Sequence, residues 1–133
     1  LYADGDSDAD VYFPEGAVFS CLLTTGSGDE VEVGTVGCEG MVTPLSPIQK
    51  PPRVICQVPG PARRVRAAAF RAELRRGEAL AEVVERYTAA RLRQVQQLVV
   101  CNLLHTVEER MCRWLLKVHD EVGDDRLPLT QEF

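Results

Sequence analysis

The placement of proline divides the chain near residue 66. Seven of the eight prolines lie within the first 61 residues, and none occurs again before Pro128. Proline breaks helices and is found in turns and at strand edges. The first 66 residues therefore predict short strands joined by turns, whereas the signals from Ala67 onward are helical.

The strand half contains five short apolar or alternating segments. Alternation is clearest from Glu30 to Val36, where valines at 31, 33 and 36 oppose the two glutamates. The preceding Gly26-Ser27-Gly28-Asp29 predicts a hairpin turn, because glycine supplies the positive φ that tight turns need. Such closely spaced strands predict an antiparallel sandwich or barrel. The predicted strands are Val11 to Phe13, Ala17 to Thr25, Glu30 to Val36, Arg53 to Val58 and Ala62 to Val65.

The helical half begins with a short helix, Ala67 to Arg76, and continues after Gly77 with a long helix from Glu78 to about His105. At 1.5 Å per residue the long helix measures roughly 40 Å, too long to bury all its apolar surface on a small sandwich. A second copy of the chain is the simplest partner; packing of the stripe on its own sandwich is the alternative. The predicted seam has coiled-coil spacing, with Asn102 fixing the register, and consists of Leu92, Val95, Val99 and Asn102. Leu98 and Leu103 flank it, and Leu98 belongs to the predicted dimer interface.

A capping box marks a second helix boundary. Thr106 can accept a hydrogen bond from the Glu109 amide while the Glu109 carboxylate reaches back to the Thr106 amide. A new helix therefore begins at Val107 after a bend near His105 and ends at Gly123. Its apolar face is predicted to be Val107, Met111, Trp114, Leu115 and Val118, and Thr130 to Phe133 reads as the start of a further helix.

Composition and charge exclude several classes of protein. Residues 1–49, 50–93 and 94–133 carry net charges of −9, +7 and −3, so the chain as a whole is acidic and is not expected to bind nucleic acid by itself. No signal peptide or membrane-spanning segment is visible. Five cysteines without a CxxC pair argue against disulfides or structural zinc and predict buried thiols in the cytoplasm. A metal shared by Cys101, His105 and Cys112 is a minor alternative.

Four stretches follow one another in a characteristic order: VYFPEGAVFSCLL, GSGDEVEVGTVGCEGMV, HTVEERMCRWLLKVHDEV and RLPLTQEF. Together with the order of predicted strands and helices, they resemble the Crp/Fnr family of bacterial transcription regulators over nearly the entire chain. The resemblance implies an α+β protein in which an antiparallel jelly roll of the cyclic-nucleotide-binding type precedes a long dimerisation helix and a shorter helix. It implies homodimerisation through the long helix, and DNA binding through a C-terminal winged helix-turn-helix of which LTQEF resembles only the opening.

The resemblance divides the chain into three parts. Residues 1–77 correspond to the cyclic-nucleotide-binding-like domain with its short helix, residues 78–105 to the dimerisation helix, and residues 106–133 to the capped helix and the start of the winged helix-turn-helix. His105, Thr106 and Glu109 form the predicted hinge and cap.

The family's phosphate-binding cassette is degraded in this chain. Thr43 and Pro44 stand where the resemblance places the cassette's Gly-Glu pair, and Pro44 can neither donate an amide nor accept from a ribose hydroxyl. Arg53 falls near the cassette arginine, and Gln96 at a base-contacting position of the long helix. We rank a non-nucleotide effector, or none, above a residual cyclic-nucleotide site that uses Arg53 alone. Thr43, Arg53 and Gln96 are the candidate ligand-binding residues. No cofactor is assigned: the first 20 residues contain no cysteine for an iron-sulfur cluster, and His105 reads as a helical histidine at a bend rather than a haem ligand.

Catalysis is not expected, because both histidines lie in the helical half and no nucleophile triad, phosphate loop or HExxH motif is present. The sequence predicts the effector-sensing and dimerisation region of a Crp/Fnr-like regulator. The alternative is a dimeric interaction module of the same fold without DNA binding.

Overall fold

A computed structural model describes residues 10–43 and 52–127. Within these residues five strands precede three helices, so the predicted change from strand to helix after residue 66 is confirmed and the described part of the chain is mixed α+β. The elements are β1 (Val11–Pro14), β2 (Val18–Thr24), β3 (Glu30–Val36), β4 (Arg53–Val58), β5 (Ala62–Val65), α1 (Ala67–Arg76), α2 (Glu78–Leu104) and α3 (Val107–Val122).

The strands form two small antiparallel sheets. β1 pairs with β5, and β2 lies between β3 and β4 in the second sheet. Tyr12 and Val42 form an antiparallel bridge, with backbone hydrogen bonds of 2.9 and 2.8 Å, that ties β1 to the segment after β3. The finer expectation, a jelly roll of the cyclic-nucleotide-binding type, stays a prediction.

A bulge in β3 corrects one detail of the predicted alternation. The register of β3 against β2 shifts beside Cys21 and Leu22, so Val33 is skipped in the pairing. An extra residue moves the following side chains to the other face of the sheet. As a result Val31 is half exposed, whereas Thr35 and Val36 beyond the bulge are buried. The prediction that apolar and polar residues alternate along the whole of β3 is therefore wrong.

Three clusters of buried apolar side chains hold the elements together. The first fills the three-stranded sheet, the second joins β1 to α1, and the third joins the sheet to α3. Their buried members are Ala17, Phe19, Cys21, Val36, Val42 and Val54 in the first; Val11, Met41 and Phe70 in the second; and Val18, Val58 and Val118 in the third.

The long helix α2 is anchored to the sheets through Tyr87. The Tyr87 hydroxyl donates to the Met41 carbonyl at 2.9 Å and accepts from the Met41 amide at 3.1 Å. Gly40 permits this contact, because a Cβ there would lie 2.5 Å from the Tyr87 hydroxyl. Burial raises the pKa of Tyr87, which keeps the phenol protonated as the donor.

The capping box at the start of α3 is confirmed. The Thr106 amide donates to Glu109 Oε2 at 2.8 Å, and the Glu109 amide donates to Thr106 Oγ1 at 3.3 Å. α3 ends at Gly123, whose φ of 70° is left-handed, as expected for a glycine after a helix. His105 and Thr106 are both extended, so the chain turns sharply between α2 and α3.

The predicted apolar face of α3 is only partly correct. Val118 is fully buried against β2 and β4, but Val107 and Met111 are exposed. The reason is the bend at His105: α3 meets the sheet with its C-terminal half, and its first turn stays in solvent.

Three further expectations concern the cysteines, membrane-spanning helices and the end of the chain. Cys21 and Cys101 are buried as predicted, but Cys38, Cys56 and Cys112 are exposed, and all five thiols are free. None of the helices described has the length and apolarity needed to span a membrane. The predicted helix start at Thr130 to Phe133, like Pro44, lies outside the described residues.

Candidate functional site

A cleft of about 850 Å³ lies between β3, α2 and α3. Its apolar wall contains side chains from all three elements. On this wall are Val33, Val95, Leu98, Cys101, Trp114 and Leu116. Because His105, the predicted hinge residue, and the first turn of α3 also line it, a ligand there would lie against the sheet, the long helix and the joint between α2 and α3.

The inner end of the cleft is built around the backbone of Thr35 on β3. Arg91 of α2 donates from Nη1 to the Thr35 carbonyl at 2.8 Å, and Lys117 of α3 donates to the same oxygen at 3.3 Å. Arg91 is further held by Gln94 Oε1 at 2.9 Å. The Thr35 carbonyl thus positions one cationic side chain from α2 and one from α3.

The charge lining the cleft does not favour a strongly anionic ligand. Three cationic side chains stand against four carboxylates, for a net charge of −1 from the lysine, arginine, aspartate and glutamate side chains. They are Arg91, Arg113 and Lys117 against Glu32, Glu108, Glu109 and Asp120. Two of the cations are already engaged on Thr35, and burial lowers the pKa of Lys117. A phosphate would therefore meet little uncommitted positive charge.

Arg113 is the exception among these cations. Its Nε is buried and has no hydrogen-bond partner among the described residues, and the side chain lines the cleft. Buried donors are normally paired, so a ligand acceptor would satisfy this group once the Arg113 side chain turns toward the cleft.

The hinge and cap residues border the same cleft. His105, Glu108 and Glu109 line it at the mouth. The hydrogen bond from the Thr106 amide holds the pKa of Glu109 below its ordinary value, so this carboxylate stays ionised as the cap of α3.

The three predicted ligand-binding residues lie outside the cleft. Arg53 forms an exposed ion pair with Glu30 at 2.5 Å. Gln96 lines a separate, shallow hollow on α2 with Arg93, and Thr43 directly follows the Val42 bridge. Val95, the residue before Gln96, lines the cleft, whereas Gln96 does not.

The predicted dimer seam is largely uncovered by its own chain. Leu92 is 59% exposed and Val99 54%, while Val95 is 38% exposed on the cleft side. Leu98 is half-buried in the cleft wall, and Asn102 is exposed. Packing of the stripe on the chain's own sandwich is therefore wrong for Leu92 and Val99.

Sequence reasoning missed the polar residues that organise the cleft. Arg91 shares the inward side of α2 with Tyr87 and Leu98, a helical spacing that is visible in the sequence. Lys117 and Glu121 have the i,i+4 spacing that is common for ion pairs on a helix surface, and only the bend after α2 turns them toward Thr35.

The minor alternative of a shared metal is not supported. Cys101 is buried and receives a long hydrogen bond from Gln97 at 3.6 Å. Residues 10–43 and 52–127 contain no group of three potential metal ligands.

No protein-family model and no curated protein matches the chain.

Proposed function

We propose that the chain is the effector-sensing and dimerisation region of a Crp/Fnr-type DNA-binding regulator that acts in the cytoplasm. The observation that carries the proposal is the cleft, whose lining joins β3 to the long helix and to the hinge. The motif resemblance and the collinear order of the elements support the same assignment.

The cleft offers a route from ligand to hinge. A ligand between Val33 on β3 and Trp114 on α3 changes the free energy of any arrangement in which these elements separate. The joint at His105 and Thr106 is two extended residues long, so α3 can change direction without breaking either helix. In a regulator, that direction sets the position of the DNA-binding domain that follows.

The effector that fits best is uncharged, largely apolar and carries an acceptor for Arg113. The apolar wall favours such a body, and the net negative lining disfavours a cyclic phosphate. Calorimetry with cAMP and cGMP is expected to give no binding tighter than millimolar. Saturable micromolar binding that Arg53→Ala abolishes would contradict this part of the proposal.

The dimer is proposed to form through the exposed stripe on α2. Leu92 and Val99 are seven residues apart, the heptad spacing at which two parallel helices keep the same side chains in contact. Both are more than half exposed in the single chain, so a second copy of α2 would remove apolar surface that this chain leaves in water.

Sedimentation equilibrium tests the dimer with a matched pair of variants. Leu92→Glu with Val99→Glu places two charges in the seam and should convert a dimer to monomer without touching the cleft. Val83→Glu with Ala90→Glu places the same two charges, also seven residues apart, on the other side of α2, and should leave the dimer intact. A wild-type monomer at micromolar concentration, or equal effects of the two pairs, would refute the assignment.

A further inference from the structure

The C-terminal half of α3 is bound to the sheet by a compact polar cluster that the proposed sensing function does not use. The Thr35 hydroxyl donates to Glu121 Oε1 at 2.9 Å, and Lys117 donates to the Thr35 hydroxyl at 2.8 Å. Lys117 also contacts Glu121 directly and lies 3.8 Å from Glu39. These residues come from β3, the segment after it and α3, so the cluster exists only when α3 lies against the sheet.

Glu121 is the unusual member of this cluster. Its side chain is only 4% exposed, and its Oε2 has no hydrogen-bond partner within the described part of the chain. Burying a carboxylate costs several kcal/mol, and one ion pair with one hydroxyl roughly offsets that cost. The cluster therefore selects one position of α3 but adds little net stability to it.

Gly37 lies directly against Glu121, with no room for a side chain between them. A Cβ on Gly37 would lie 2.5 Å from Cβ and 2.7 Å from Cγ of Glu121. Glycine here leaves a notch into which the Glu121 side chain fits. The backbone of Gly37 has no positive φ, so close approach of α3 is the reason that a side chain is excluded.

We propose that Thr35, Lys117 and Glu121 form a latch that holds α3 in a docked position, with Glu121 seated in the Gly37 notch. The latch opens by rotation at His105 and Thr106. The docked position buries Val118 between Val18 and Val58 and half-buries Trp114. Because the polar cluster itself adds little net stability, the docked position is stabilised mainly by the burial of Val118 and Trp114, and a ligand that binds the released position more tightly would shift the balance toward it.

Two members of the latch, Thr35 and Lys117, line the cleft. An effector that lies against them acts directly on the latch, and this link rests on the proposed function. The latch itself does not depend on it, since its contacts are all within one chain.

Trp114 is the single tryptophan of the chain and reports on docking by itself. In the full chain, Gly37→Ala should move the Trp114 emission maximum to longer wavelength and raise its quenching by acrylamide. Gly26→Ala is the matched control, because a Cβ at Gly26 meets nothing within 4 Å, and it should leave both readouts unchanged. Far-UV circular dichroism establishes that the helices persist in both variants.

A charge reversal gives a second, independent test that introduces no backbone clash. Glu121→Lys brings a second ammonium group beside Lys117 and should release α3. Asp120→Lys makes the same charge change on the adjacent, exposed residue and should not. Unchanged Trp114 emission in both Gly37→Ala and Glu121→Lys, or equal shifts in the controls, would overturn the latch.

These outcomes are separate from those of the proposed function. A monomeric wild-type chain would refute the dimer while leaving the Trp114 shifts intact. A dimer whose Trp114 does not respond to either latch variant would refute the latch alone.

Discussion

The docking of α3 rests on one fully buried side chain, Val118, and its truncation gives a quantitative test. Val118→Ala removes two carbons from a site with 0% exposure between Val18 and Val58. At about 0.8 kcal/mol per buried carbon the transfer loss is about 1.6 kcal/mol, and a residual cavity brings the total to roughly 2–3 kcal/mol. With an m value of about 2 kcal/mol per molar urea, the unfolding midpoint should fall by about 1 M.

Val107 provides the matched control on the same helix. Val107→Ala deletes the same atoms from a side chain that is exposed to solvent, so its effect should stay within about 0.5 kcal/mol. Urea titration followed by Trp114 fluorescence and by circular dichroism measures both variants. Equal midpoints for Val118→Ala and Val107→Ala would show that α3 does not pack on the sheet, and the docked arrangement would have to be abandoned.

Two further predictions concern the ends of α3. Thr106→Ala removes the cap and should cost about 1 kcal/mol, with faster amide exchange in the first turn; Thr88→Ala, in the middle of α2, is the comparison, and similar exchange in that first turn for both variants would contradict the cap. The hydrogen bond with Asp125 raises the pKa of His119 above 6.5, so the pair stabilises the fold below pH 6.5 and its contribution is lost as pH rises through the raised value. Asp125→Asn should therefore lower the urea midpoint at acidic but not at alkaline pH, and an effect independent of pH would rule the pair out.

The elements of the chain could be predicted closely because their signals are local. The segments Glu30–Val36, Arg53–Val58, Ala62–Val65 and Ala67–Arg76 agree with the structure at both ends. Proline, glycine and the capping box at Thr106 specify turns and helix boundaries through the conformations and hydrogen bonds of a few neighbouring residues. Such constraints are visible without knowing what packs where.

The site could not be predicted in the same way, because it depends on contacts distant in sequence. The Val33 bulge moves Thr35 inward, and nothing in the alternating pattern marks it. The distance between Thr35 and Glu121 along the chain is 86 residues, so their hydrogen bond requires the bend at His105 to be known first. The notch at Gly37 is informative only once Glu121 lies above it.

Burial along the helices was predictable in part. An apolar stripe at heptad spacing identified Leu92 and Val99 as surface available to a partner, which their exposure in the single chain matches. The same kind of reasoning failed at Met111, because periodicity gives the face of a helix but not how far along the helix the neighbouring sheet extends. For the cysteines, apolar neighbours in sequence did not imply burial, as the exposed Cys112 illustrates.

The coding sequence downstream of Phe133 tests the regulator assignment most directly. We predict that the reading frame continues for roughly 50 or more residues, a domain's length, with a helix-turn-helix pattern. Intact mass of the natural protein above the 14.7 kDa of this chain would accompany that result. A stop codon within a turn or two of Phe133 would contradict the account and favour a dimeric interaction module without DNA binding.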